Sequence, residues 1–173
     1  MTPEQAEYHR AMLLIGLDDS FEKCFDEALE VEDPLSDVIL ALSTCISNRE
    51  QVLSVLREYT QAYSLNEKTV RDLILEDIRG RYQSGEMDRA EMVTALYDVV
   101  AFLDKSLDDS WNVFTEPTYY LELYEEDLIS EDVFDQCFDA WFYHGERLDP
   151  WALQRDVSKQ KAKPKWWQKL FKK

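Results

Sequence analysis

Helix-start signals recur so closely along this chain that little besides short helices fits between them. Thr2-Pro3, Asp33-Pro34, Ser47-Asn48, Asn66, Asp88, Ser130 and Asp149-Pro150 each place a residue that accepts free N–H groups, or a proline, ahead of an apolar pattern. Between these signals the apolar residues fall three and four apart, and no stretch alternates as a strand does. The expected fold is therefore all-α: a multi-helix bundle or a stack of helical hairpins, with eight or nine short helices in one domain.

The spacing gives the elements in order. The first helix starts at Thr2-Pro3 and ends near Gly16, and a second runs from about Asp19 to Val31. Leu35 to Ile46 is apolar almost all round, which reads as the buried centre of the bundle. A fourth helix carries the stripe Val52, Val55, Leu56, Tyr59 and Tyr63, and a fifth the face Val70, Leu73, Ile74 and Ile78. Ser84-Gly85 breaks the chain. Asp88, with Glu91 three residues on, forms a capping box for a helix with the core stripe Met92, Leu96, Val99, Val100 and Leu103. A stretch irregular at first then leads to a helix from Glu116-Pro117 to Asp127. Another runs from Ser130 to Tyr143, stopped by Gly145, and a last short one starts at Asp149-Pro150.

At 173 residues, 45% hydrophobic and 13% aromatic, the chain can bury a core without metal or disulfide staples. Cys24, Cys45 and Cys137 are odd in number, far apart and set in apolar helical patterns. They read as buried thiols in a reducing compartment, so a cytoplasmic location is expected. The longest apolar run that includes a glycine, Ala11–Leu17, is too short to span a bilayer, and no secretory leader pattern opens the chain.

Charge divides the chain into an acidic body, residues 1–157, and a basic end. Residues 1–156 hold 12 basic and 36 acidic side chains, while Val157 to Lys173 hold seven lysines and no acid. A body of net −24 is repelled by nucleic acid and by anionic membranes. Its natural counterparts are basic proteins or cations. The alternative is that the acids only keep the chain in solution.

The acidity peaks from Ser106 to Glu146, with 12 acids and no lysine or arginine. Within the Ser130 helix, Glu131, Asp132, Asp135 and Asp139 share one side. Val133, Phe134, Cys137, Phe138 and Trp141 share the other. With Tyr124, Glu125, Glu126 and Asp127 just upstream, these acids make a candidate face for a Lys/Arg-rich surface, bordered by Tyr119 and Trp111.

Catalysis finds no such support. The carboxylates do not interrupt the apolar face, as paired acid–base groups in a dry site would. No EF-hand loop, Glu-x-x-His pair or Gly-rich phosphate loop occurs. Cys137 and His144 lie two helical turns apart, but Cys137 belongs to the core side. No catalytic residue, metal ligand or cofactor is assigned.

The basic end forms the second candidate. Ser158 to Lys165 reads as a flexible linker and residues 166–173 as a short amphipathic helix. Trp166, Trp167, Leu170 and Phe171 would form one face, and Lys165, Lys169, Lys172 and Lys173 the other. Such a segment suits docking on the body or a partner, or contact with a membrane interface. Eight residues make a marginal helix alone, so it needs a surface to order on.

The run Leu123-Tyr-Glu-Glu-Asp-Leu-Ile-Ser-Glu-Asp-Val-Phe134 resembles the acidic-aromatic box of the W2 domain of translation initiation factors. That resemblance implies a HEAT-like helical module that binds Lys-rich partners. The phenylalanine-to-tryptophan spacing differs, and the end of this chain is basic where that family is acidic. In overall character the chain is also similar to small acidic bacterial immunity proteins, although no motif carries that likeness. It implies an inhibitor that neutralises a basic toxin domain. The expectation is thus a non-enzymatic module gripping a basic protein; the alternatives are a membrane-associated protein held by its Trp/Lys segment and a W2-like translation-factor domain.

Overall fold

Five of the expected caps form, that of Asp149 on Trp151 and Ala152 among them. In a computed structural model, which describes residues 1–17, 19–106 and 108–161 with side chains to 158, the side chains of Thr2, Asn48, Asn66 and Asp88 accept hydrogen bonds. Their donors are the backbone N–H groups of Gln5, Gln51, Thr69 and Glu91, at 2.9–3.3 Å. Glu91 and Gln5 reciprocate onto the cap N–H groups of Asp88 and Thr2, completing two capping boxes.

The described residues contain nine α-helices and no strand. They are α1 (Pro3–Ile15), α2 (Phe21–Val31), α3 (Asp37–Ser43), α4 (Arg49–Gln61), α5 (Glu67–Ser84), α6 (Arg89–Phe102), α7 (Asn112–Glu125), α8 (Glu131–Asp139) and α9 (Pro150–Lys161). A 3-10 turn, Asp109–Trp111, precedes α7, and a π-helical turn, Ala140–His144, extends α8 to Gly145. The described residues pack as two compact units, the first ending at Trp111 and the second starting at Asn112.

In the first unit the central helix is α1, not α3. Helix α1 packs against α4, α5 and α6. Its fully buried Ala6 and Ala11 let those neighbours approach closely. Helix α3 is two turns long and buries one side only, Val38, Ile39 and Leu42, while Leu40 is 49% exposed. An apolar density that looked central thus covers one flank of a core cluster with Phe21, Phe25, Cys45, Val52 and Leu56. Tyr63 also leaves its expected stripe. Helix α4 stops at Gln61, and the exposed Tyr63 ring packs on Tyr59 with centroids 5.1 Å apart.

The second unit corrects two boundaries. Helix α7 begins at Asn112, so Pro117 sits inside it rather than at its first position. A proline there cannot donate to the carbonyl four residues back. That acceptor, the Val113 oxygen, instead receives the indole N–H of Trp141 at 2.9 Å. Helix α9 runs through Lys161, so the first residues expected to form a linker are helical. Lysine and glutamine propagate a helix well, and the first breaker after Pro150 is Pro164. Helix α8 packs on both α7 and α9, and Phe114, Tyr120, Val133, Cys137, Phe138 and Trp141 form the buried centre of this unit.

Candidate functional site

The acids singled out by pattern lie on the turn from α7 to α8 and on α8 itself. Glu125, Glu126, Asp127, Glu131, Asp132 and Asp139 are exposed and Asp135 is half-buried. Beneath them Val133, Phe134, Cys137 and Phe138 are buried. Tyr124, 37% exposed, stacks its ring on Phe134 at 5.2 Å with 14° between planes. Phe138 stacks likewise on Phe142, at 5.8 Å and 9°. The acidic face is therefore mounted on a packed aromatic layer.

The turn is built on an aspartate, as is the turn after α6, where Asp104 has φ 56°. Asp127 adopts a left-handed conformation, φ 58°, and the N–H groups of Asp127 and Leu128 donate to the carbonyls of Tyr124 and Leu123 at 3.0 and 2.9 Å. This is the double hydrogen bond that ends many helices, usually built on glycine. Here an aspartate takes the position, following Glu125 and Glu126. Helix α7 so ends on three acids, with no basic residue in its last turn. Negative charge at a helix C-terminus is electrostatically unfavourable.

Of the aromatic neighbours expected around this face, Trp111 does not take part. It is 1% exposed and belongs to the first unit, beneath the Arg71 and Lys105 side chains at 5.7 and 5.8 Å. Tyr119 and Trp151 are both exposed in the second unit, where the Trp151 indole donates to the Tyr119 hydroxyl at 3.1 Å. Trp166, Trp167, Lys169, Leu170, Phe171 and Lys172 lie outside the described residues.

Buried polar groups are a second feature of this unit. Glu116 on α7 is 8% exposed, with Arg147 Nε 3.0 Å from its Oε1. The Tyr120 hydroxyl donates to the Leu148 carbonyl at 3.2 Å and accepts the Leu148 N–H at 3.3 Å. Burial, with a hydrogen bond to Glu116 and the Glu116 charge adding to it, pushes the Tyr120 phenol well above its ordinary range. Burial likewise pushes the Cys137 thiol up to about 11, with Glu116 and Asp149 contributing. A thiol so held is a poor nucleophile. His144, two helical turns on in sequence, is exposed while Cys137 is fully buried, in line with the placing of Cys137 on the core side.

The first unit holds a concavity that the sequence did not reveal, about 810 Å³, between α1, α4 and the ends of α5 and α6. Four carboxylates line it: Glu7, Glu50, Glu67 and Asp104. Two are tied in ion pairs, Glu7 to Arg10 and Glu67 to Lys105, both at 2.7 Å. Only the Glu7–Arg10 spacing is visible in sequence; the rest of the wall comes from helices far apart in the chain. Among the described residues no group of three or more His, Cys, Asp or Glu is placed to hold a metal ion. None of the described helices is long and apolar enough to cross a membrane.

No family model, curated protein or solved structure matches this chain.

Proposed function

We propose that this chain is a non-enzymatic interaction module that binds a basic protein through the acidic turn and helix of its second unit. The observation that carries the reading is the end of α7, where Glu125, Glu126 and Asp127 crowd the negative pole of a helix with no basic residue in its last turn. The arrangement costs stability in the free chain. A cationic partner relieves it. The exposed carboxylates of α8 continue the same sign of charge, and an extended field of one sign raises association rates toward a partner of the other.

Each exposed pair would contribute roughly 0–1 kcal/mol, so affinity comes from the face as a whole and falls with salt. The stacked rings of Tyr124 on Phe134 and Phe138 on Phe142 reduce the ordering cost of binding. The larger concavity of the first unit supports an enzyme less well, because Glu7 and Glu67 are already neutralised by Arg10 and Lys105.

The test uses the full chain and a variant with Glu125→Gln, Glu126→Gln, Glu131→Gln, Asp132→Asn, Asp135→Asn and Asp139→Asn. Both capture proteins from native lysate at low and high salt, and the captured protein is then purified and titrated against each. A basic protein that binds the full chain, weakens with salt and loses about tenfold or more on the variant supports the reading. Equal binding by the variant overturns it, as does capture of membranes alone.

A further inference from the structure

Among the described carboxylates of the second unit Glu116 is the buried one, with the Arg147 guanidinium and the Tyr120 hydroxyl as its polar neighbours. It is 8% exposed, and its Oε1 makes no aligned hydrogen bond. Arg147 supplies a positive charge, with Nε 3.0 Å away, but the Arg147 side chain is 71% exposed. A buried carboxylate is stabilised fully only by a cation that is itself aligned and held. Arg147 answers it from the water side, and the Tyr120 hydroxyl, which also serves the Leu148 carbonyl, from within.

The carboxylate faces a small pocket. An open concavity of about 280 Å³ is lined by Glu116, Tyr119, Arg147, Leu148, Asp149 and Pro150. That is below the range of about 300–1,000 Å³ usual for a drug-sized ligand and suits a single long side chain. Leu148 and Asp149, which also line the pocket, are held by hydrogen bonds. Tyr120 hydrogen-bonds both the N–H and the carbonyl of Leu148, and Asp149 Oδ1 accepts the N–H groups of Trp151 and Ala152 at 2.9 and 3.2 Å, capping α9. One aromatic ring, Tyr119, lines the pocket, and the Trp151 indole, beside it, is hydrogen-bonded to its hydroxyl.

We propose that this pocket receives one guanidinium group, an arginine side chain of the basic partner, which displaces Arg147 from Glu116. The inference rests on the interaction-module reading and adds to it one specific anchoring point. The chemistry selects arginine over lysine. A guanidinium offers a planar fork to a carboxylate and lies flat on Tyr and Trp faces, whereas an ammonium is a strongly hydrated point charge. Arg147 already shows that a guanidinium reaches this carboxylate. It acts as an internal placeholder that keeps Glu116 compensated until the partner's arginine arrives.

The test titrates the ¹⁵N-labelled full chain with N-acetyl-arginine amide, N-acetyl-lysine amide and the neutral isostere N-acetyl-citrulline amide. The readout is the Trp151 indole N–H signal, assigned with Trp151→Phe. Saturable shifts with the arginine compound, weaker ones with lysine and none with citrulline are expected. Removing the placeholder with Arg147→Met should tighten arginine binding about threefold or more, since the competent state no longer competes with an occupied one. Glu116→Gln should abolish it. Should Glu116→Gln fail to fold, Arg147→Met alone decides: no change or a loss of affinity overturns the proposal. Equal responses to citrulline or lysine overturn it too. The variant with neutralised α7–α8 acids separates the two readings. Partner capture that needs those acids, beside a chain that ignores arginine amide, removes the pocket and leaves the interaction module standing.

Discussion

The indole N–H of Trp141 donates at 2.9 Å to the carbonyl of Val113, the acceptor that Pro117 leaves without its helical donor. One side chain thereby repairs a proline inside α7 from the far end of the α8 segment. Trp141 is 2% exposed, so water cannot replace the lost donor. Trp141→Phe should cost about 1–3 kcal/mol, more than its lost area alone, because it orphans a buried carbonyl. Pro117→Ala supplies the missing N–H, so Trp141→Phe should cost less in that background. A double-mutant cycle by urea denaturation should give a coupling of about 1 kcal/mol, and additivity would show that the two residues act independently.

That repair also shows where sequence reading stops. The caps Thr2, Asn48, Asn66 and Asp88 are local, needing only a side chain and an N–H two or three residues on, so they were legible. The Glu116-Pro117 boundary was not. Proline favours a first helical position unless a distant group serves the freed carbonyl, and nothing in the pattern links position 141 to position 113. Helix α1 was underrated for a related reason. Its alanines carry little apolar weight in sequence but allow three helices to approach it, while the apolar run of α3 lies at a flank. The two faces of α8 were legible because amphipathicity is periodic. The Glu116 pocket was not, since Glu116 and Arg147 meet only through the fold.

Within α1, Glu7 and Arg10 form a two-pronged pair at 2.7 and 2.8 Å with side chains 8% and 15% exposed. Removing one partner strands a mostly buried charge. Arg10→Met should therefore cost about 3 kcal/mol, whereas Glu7→Met with Arg10→Met should recover most of that loss. Urea midpoints at unchanged slope measure both. A double variant as unstable as the single would mean that the pair contributes packing rather than charge compensation.

Alkaline pH should loosen the second unit before it affects the first. The Cys137 thiol is raised to about 11 and Tyr120 is raised further, both chiefly by burial. A group whose folded-state pKa exceeds its unfolded one stabilises the fold below the unfolded value and loses that contribution as pH climbs toward the folded one. For Cys137 the window runs from the ordinary value of 9.0 to about 11, and the loss is on the order of 2 kcal/mol. Protection factors of α7 and α8 amides, corrected for the intrinsic base-catalysed rate, should fall across this range, and Cys137→Ala should flatten that pH dependence. At pH near 8, iodoacetamide should label the partly accessible Cys24 well before Cys137. Labelling of Cys137 first would contradict its burial.

Asp127 allows strain and charge to be separated at one position. Its φ of 58° is a region that glycine enters freely, as Gly16 does at 78° in the equivalent turn after α1. Asp127→Gly should raise stability by about 1 kcal/mol by relieving the backbone and removing an acid from the negative pole of α7. Asp127→Asn removes only the charge and keeps a side chain tolerant of this conformation, so its gain should be smaller, about 0.3–1 kcal/mol, and should shrink in high salt. Thermal melts of the three proteins at low and high ionic strength give both parts. If the face grips a basic partner, each variant should also bind that partner more weakly while being more stable, an inverse relation that a merely structural turn would not produce. A variant less stable than the parent would show that the Asp127 side chain supports the turn, and that the position is not a strained one kept for its charge.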